Sequence, residues 1–379
     1  MQNKLFSPAK WTMTSINRAL AALALTVVMV VGVWETIAAV KQIEKADFPN
    51  TLTDFREGRT TNALEKLIEQ KLPARSGLIA FANSVRFLLT GGGGEQVRMG
   101  KSDWLFLTEE MRFDADGSAH LATRADVLGT AARRLDLMGV KLVVALVPDK
   151  ARVHSDHLKS SHYPEYNRSR YHDAVTAIRA RNVTVVDLLE PLAAGAVASD
   201  VYYRTDTHWN QLGAKLAADT IAKVVKNLGL TLTPTHFDTL PSGEAVQRPG
   251  DLIRLMGLES TPDSVRPRAD TEVPMVTKET STSNAGGLFG DAGVSVVLTG
   301  TSYSLRGNFH GFLQQALETK VLNAAKDGGG LLQATTAYLT DESFRSAKPA
   351  VLVWEIPERF VLAPLDGEPA WLSKVGLQP

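Results

Sequence analysis

The sequence predicts an α/β fold, an open and mostly parallel sheet flanked by helices, and three observations carry that expectation. First, four short segments are apolar and rich in β-branched residues: KLVVALVP ending at Pro148, NVTVVDL over Asn182–Leu188, VSVVLTG over Val294–Gly300 and AVLVWEIP over Ala350–Pro357. Second, their apolar character is continuous, not alternating, as strands covered by helices on both faces require. Third, stretches with helical spacing lie between them: ADVLGTAARRLDLMG, YHDAVTAIRARN, QLGAKLAADTIAKVVKNLG and FHGFLQQALETKVLNAA. Strand and helix therefore alternate along the chain.

The N-terminal part reads differently. Lys4, Lys10 and Arg18 precede the apolar run Ala19–Trp34, and no acidic residue occurs before Glu35. Extended to Val40, the run is long enough to cross a hydrocarbon core. Positive charge on its N-terminal side holds that end in the cytoplasm and sends the rest of the chain across the inner membrane. Residues 1–45 are thus expected to form a cytoplasmic tail and a transmembrane signal-anchor, with a cleaved signal peptide as the alternative. Two helical runs follow, ALEKLIEQKLP and LIAFANSVRFLL, separated by Pro73 and Gly77. The tetraglycine 91–94 is a flexible break, so residues 46–94 are expected to be membrane-proximal helices and a Gly-rich linker. No GK[ST] follows those glycines, which excludes a phosphate-binding loop. The main domain then spans residues 95–379. It opens with GKSDWLFLTEEM over Gly100–Met111, a strand-like run after a turn. Residues 231–293 are rich in Pro, Thr, Ser and Gly with poor periodicity, and read as a long excursion beside a binding surface.

Composition narrows the chemistry. The chain has 379 residues, with 41 basic side chains balanced by 41 acidic ones. That balance gives no general attraction to polyanions, so no nucleic-acid partner is expected. The absence of cysteine excludes disulfides, thiol catalysis and thiolate-bound metals. His154 and His157 in HSDH, and His162 beyond, lack ligand spacing, so neither a metal nor a cofactor is expected.

In an open parallel sheet, ligands gather beyond the carboxyl ends of the strands. VSVVLTG runs directly into TSYS, which puts Ser302 in a tight turn before a helix starting near Asn308 or Phe309. TDTHWN, residues 205–210, precedes another helix, and in an extended segment Asp206 and His208 point the same way. A hydroxyl is a feeble nucleophile near neutral pH. It needs an imidazole as base, and the imidazole works best when a carboxylate fixes its tautomer. The structural alternative is that Ser302 turns an ordinary corner, Asp206 or Asn210 caps the helix and Trp209 fills the core.

Taken together, DTHWN and the later GTSYS, with GKSDWLFL and PDKARVH upstream and VLVWEIPERF near the end, resemble the periplasmic alginate O-acetyltransferase family. The resemblance covers roughly Arg98 to Phe360 and extends to relatives in other exopolysaccharide systems, all SGNH-hydrolase-like. It implies Ser302 as nucleophile, His208 as base and Asp206 as orienting acid. The acid–histidine pair precedes the serine, the reverse of ordinary SGNH hydrolases, which implies a circularly permuted arrangement.

The resemblance further implies acetyl transfer to an exopolysaccharide hydroxyl through an acetyl-serine. A membrane-bound acyltransferase is then the partner that supplies acetyl groups, and the catalytic domain is anchored at the inner membrane and faces the periplasm. A carbohydrate acetylesterase and a non-catalytic polysaccharide-binding or assembly protein are the alternatives. Further candidates for oxyanion stabilisation or substrate binding are Asn308, Tyr303 and Arg306 after the nucleophile, Lys150 and Arg152 beside Asp149, and Trp209. Trp354 and Glu355 are read as core filling and a salt bridge, and Glu358 with Arg359 as a local pair.

Overall fold

The computed structural model describes residues 51–71, 75–159, 162–280 and 294–377, together with Thr26, residues 29–34, Ile37 and Pro49. The chain divides into two compact units, residues 1–83 and 84–379. In the first, Thr51 opens the helix Leu52–Arg56 with a reciprocal cap: its hydroxyl accepts from Asp54 N at 3.1 Å while Asp54 Oδ2 accepts from Thr51 N at 3.0 Å. The helix Arg59–Lys71 follows, and Arg75–Thr90 begins in this unit. Gly77, expected between two helices, lies in the first turn of the second. The apolar run Ala19–Val40, expected as an anchor, lies largely outside the described residues. Among those described, no helix is long and apolar enough to cross a membrane.

The second unit holds the rest of the helix Arg75–Thr90 and then a hairpin, β1 (Val97–Met99) antiparallel to β2 (Leu105–Leu107). Its centre is a five-stranded sheet whose registered pairs are all parallel. The strands are β3 (Lys141–Val147), β4 (Thr184–Asp187), β9 (Val296–Thr299), β10 (Val321–Asn323) and β11 (Val351–Pro357), in the order β10-β9-β11-β3-β4. The continuous apolar runs are explained by what lies on each side. Along β3, Leu142, Val144 and Leu146 face one cluster with Leu128 and Leu135 of the helix Gly117–Leu137 and Ile178 of Arg170–Arg179. Val143, Ala145 and Val147 face the other, with Ile221 of Gln211–Lys226 and Leu313 of Phe309–Leu317. Full burial of each such side chain is worth about 1.5–3 kcal/mol.

The four expected strands are present, and the fifth was hidden. FHGFLQQALETKVLNAA reads as one helix, but the helix stops at Leu317 and VLN forms the edge strand β10. Glu318 breaks the helix in a left-handed conformation, φ 55°.

The excursion is also more regular than its composition suggests. It holds two antiparallel ribbons, β5 (Phe237–Pro241) with β8 (Met275–Glu279) and β6 (Val246–Arg248) with β7 (Asp270–Glu272), plus the helix Asp251–Leu255. These strands are short and mostly exposed, so they carry no apolar periodicity.

Candidate active site

The corner that carries Ser302 grows out of β9. Gly300 allows it: a Cβ there would sit 2.6 Å from Glu355 Oε2 and 2.8 Å from Glu355 O on the adjacent strand β11. Glu355 then holds the turn Ser302–Leu305 through several bonds. Thr301 N donates to its Oε2 at 2.7 Å, the Thr301 hydroxyl at 3.0 Å and the Ser304 hydroxyl at 3.1 Å. Burial raises the Glu355 carboxyl above its ordinary range, and these donors offset part of that rise. Glu355 was expected in a salt bridge. Among the described residues it makes none, and organises the turn that carries Ser302.

The acid–histidine segment arrives from the other side. Asn210 caps the helix Gln211–Lys226, its side-chain oxygen accepting from Leu212 N and Gly213 N, each at 3.0 Å. That leaves Asp206 free of capping. Its Oδ1 lies 2.6 Å from His208 Nδ1 and accepts from His208 N at 3.0 Å, while its Oδ2 accepts from Asp251 N at 3.1 Å. His208 Nε2 in turn lies 2.7 Å from Ser302 Oγ. The structure therefore brings Asp206, His208 and Ser302 into one hydrogen-bonded series, each of them buried. Burial opposes a charge on Asp206, but the hydrogen bond and charge of His208, with two backbone amides, outweigh it and hold the carboxyl well below its ordinary range.

Three further residues support this series, and reading the sequence did not find them. Asp251 Oδ1 accepts from Thr207 N at 2.7 Å and from the Thr207 hydroxyl at 3.0 Å, and its Oδ2 is 3.7 Å from His208 Nδ1. Asp270 accepts from Arg204 N and Thr205 N, each at 2.9 Å. Gly250 lets the excursion lie directly on the segment, since a Cβ there would meet Thr205 O at 2.1 Å. The PGD turn at 249–251 was the available signal. Nothing local to it reveals a partner 45 residues away.

The other candidates fall elsewhere. Tyr303 is fully buried: its ring stands edge-on to His208 at 4.8 Å and its hydroxyl donates to Thr207 O at 2.9 Å, so it braces the histidine and does not face a ligand. Trp209 packs edge-on against Tyr303 at 5.0 Å and fills the core. Asn308 neither caps its helix nor stands free, because its side-chain amide donates to Thr277 Oγ1 of β8 at 2.9 Å. Arg306 pairs with Asp327 at 2.9 Å near the surface.

Lys150 is fully buried, with its ammonium donating to Leu105 O, Arg204 O and Asp206 O at 2.6–2.9 Å. It clamps three segments together and has no donor left for a sugar. Arg152 is committed to Glu358 at 2.5 Å and to Asn167 O at 2.6 Å. Glu358 also binds Arg170 at 2.9 Å, and Arg170 pairs with Asp149. The expected Glu358–Arg359 pair is thus replaced: Arg359 Nε lies 3.7 Å from Glu109, and its backbone N donates to Asp149.

Trp354 is core, 5.3 Å from Trp371. His154, Asp156 and His157 do approach one another, their ligand atoms within 4.8 Å. His157 stacks on Trp104 at 4.3 Å. His154 is buried, which with Lys150 nearby lowers its pKa to about 4, and it accepts a hydrogen bond from Val201 N.

A serine, an imidazole and a carboxylate in series beside an open parallel sheet have the geometry that acyl-transferring proteins of several unrelated folds share. The family described as "ALGX: SGNH hydrolase-like domain, acetyltransferase AlgX" matches residues 97–358. The chain belongs to this family of acetyltransferases. A "Probable alginate O-acetylase AlgJ" of Pseudomonas syringae is 31% identical over 363 residues, covering 93% of this chain and 91% of that protein. One of Pseudomonas aeruginosa is 33% identical over 321 residues, covering 82% and 81%. The solved O-acetyltransferase domain of Pseudomonas putida AlgJ superposes with a TM-score of 0.65 at 31% identity, covering 74% of this chain and 98% of that one.

Proposed function

We propose that the chain acetylates hydroxyls of an exopolysaccharide, an alginate-like or related glycan, through an acetyl-serine on Ser302. The observation that carries this reading is the continuous relay from Asp206 through His208 to Ser302, with contacts of 2.6 and 2.7 Å. In the first half-reaction Ser302 Oγ attacks the acetyl carbonyl of the donor and its proton passes to His208 Nε2. Collapse of the tetrahedral adduct leaves acetyl on the serine oxygen and the proton on the departing group. In the second, His208 takes a proton from an acceptor hydroxyl, whose oxygen attacks the acetyl-serine and expels Ser302 Oγ, which recovers that proton. Asp206 keeps Nδ1 protonated and stabilises the imidazolium in both halves.

The names of the relatives support a polysaccharide as acceptor. Water in its place makes the enzyme an acetylesterase, the alternative reading. The order of the motifs, Asp206 and His208 before Ser302, supports a circularly permuted SGNH arrangement. The basic-then-apolar N-terminus supports residues 1–45 as a cytoplasmic tail and anchor in the inner membrane and 46–94 as membrane-proximal helices and linker, with the catalytic domain, 95–379, in the periplasm. An acetyl donor made in the cytosol would then reach Ser302 through a membrane-bound acyltransferase.

The test is mass spectrometry of the full chain after exposure to an activated acetyl ester, followed by a uronate oligosaccharide. An acetyl group on the Ser302 peptide, chased onto the sugar and lost in Ser302→Ala, is the expected result. Persistence of acetylation in Ser302→Ala at the native rate overturns it, and free acetate as the main product at saturating sugar favours the esterase.

A further inference from the structure

We infer that Arg359 is a positioning residue for the acyl-transfer relay: its guanidinium, set against the ring of Tyr303, holds that ring where it aims His208 at Ser302. This rests on the reading of Ser302 and His208 as nucleophile and base. The turn Glu358–Phe360 follows β11, the strand between β9 and β3, so Arg359 can reach both neighbouring strand ends. Its backbone N donates to Asp149 Oδ1 at 3.2 Å. Its guanidinium carbon lies 5.7 Å from the centre of the Tyr303 ring and 4.9 Å from that of Phe360.

The guanidinium is largely buried yet poorly bonded. Its Nε approaches Glu109 no closer than 3.7 Å, and Nη1 is buried and, among the described residues, has no hydrogen-bond partner. Arg124, Arg152 and Arg170, by contrast, are tied to carboxylates. A cation lies within the attraction of an aromatic ring out to about 6 Å, and that attraction grows when no water competes for the charge. The ring of Tyr303 is thus a main partner of this cation.

Tyr303 passes the constraint on. Its ring stands edge-on to the His208 imidazole at 4.8 Å, and its hydroxyl donates at 2.9 Å to O of Thr207, the residue before the histidine. Both contacts fall on the residue pair that places Nε2 at 2.7 Å from Ser302 Oγ. Burial pushes the Tyr303 phenol up, and the charge of Arg359 opposes that push. The cation is therefore felt at the hydroxyl, which it polarises into a stronger donor toward Thr207. Because Tyr303 follows Ser302 in the chain, a tilted ring disturbs nucleophile and base together. A misplacement of about 1 Å between reacting groups can cost roughly 100-fold in rate.

The test is a double-variant cycle on the full chain, read as hydrolysis of a small acetyl ester. Arg359→Met keeps bulk and removes charge, and is expected to lower kcat about tenfold with KM within about twofold of native. Arg359→Lys puts the charge back and is expected to recover most of kcat, which filling space alone would not do. Tyr303→Leu is expected to lower kcat as well. Adding Arg359→Met to it should change kcat by less than about twofold, because the cation then has no ring to act on. Losses that multiply, or native kcat in Arg359→Met, overturn the proposal. Arg359→Gln runs the same cycle should Arg359→Met fail to fold. A second measurement needs no turnover: the proton between His208 Nδ1 and Asp206 gives a far-downfield NMR line, assigned by its loss in His208→Gln. Removing the Arg359 charge is expected to shift or broaden that line, and an unmoved line overturns the proposal. Native ester hydrolysis by Ser302→Ala would refute the catalytic reading instead, and the downfield line would still decide the role of Arg359.

Discussion

The corner after β9 and the corner after β3 are made of similar materials and have opposite characters. Both follow buried parallel strands, and both sink carboxylates out of water. After β3, Asp149, Arg152, Arg170 and Glu358 use their donors and acceptors on one another and on main-chain atoms. After β9, Glu355 is spent on the turn, while the Ser302 hydroxyl is left against a histidine that a second carboxylate already orients. Residue types at a strand end therefore do not distinguish a reactive site from a structural one. What distinguishes them is whether an acid–base pair remains uncommitted to holding the fold.

The sharpest way to break this contrast is Ser302→Ala, which should cut acetyl transfer by roughly 10³–10⁴-fold or more. Thermal melting should stay within a degree or two of native, because the lost hydroxyl supports no other element. Asp206→Asn should cost a similar factor, through loss of the productive histidine tautomer. In the saturated corner the sign is reversed. Glu358→Ala takes the counter-charge from Arg152 and leaves buried Arg170 with Asp149 alone, and should cost about 3–5 kcal/mol in denaturant unfolding, with near-native turnover in the folded fraction. Lost turnover at full stability would erase the distinction between the corners.

Glu355→Gln lies between these extremes. Its amide cannot accept all the bonds that the carboxylate does, so a loss of about 1–3 kcal/mol is expected. A displaced turn should also lower kcat about tenfold, read in steady-state transfer. The smallest effect concerns Glu110, whose carboxyl burial pushes up to about 7 from its ordinary 4.5, with only the Ala151 amide and more distant cations opposing. Its protonated form is favoured in the folded state, so its stabilising contribution is complete below the unfolded value and is lost as pH rises to about 7. Glu110→Gln should match native melting near pH 4 and melt higher above pH 7. A gap that does not vary with pH would mean that the group does not titrate in this window.

The central sheet could be read from the sequence, apart from one strand. Four strands announced themselves because parallel strands buried on both faces must be continuously apolar, and KLVVALV and VLVWEIP have few other uses. VLN was lost because three residues joined to a helix carry no period of their own. That Asp206, His208 and Ser302 come together in space was expected from their types, a hydroxyl just after β9 and an acid and imidazole two apart, and the structure brings the three side chains together. Their supports were not legible. Asp251, Asp270 and Glu355 act across 45 to 66 residues of sequence, and no local pattern encodes such a partnership. Lys150, Arg152 and Trp209 misled for the same reason: a cation or an indole just before a helix or within its first turn looks alike whether it faces solvent or is buried.

Gly250 sets a rule for anyone rebuilding this enzyme. The backbone of the excursion lies so near Thr205 that even one added carbon collides with it, and the next residue's amide donates to the Asp206 carboxylate. A swapped loop that keeps Pro249-Gly250-Asp251 still needs Asp270, which accepts from Arg204 N and Thr205 N, to leave the histidine aimed. A swap that alters those three positions would retune the reaction from outside the pocket, even with every reacting side chain untouched.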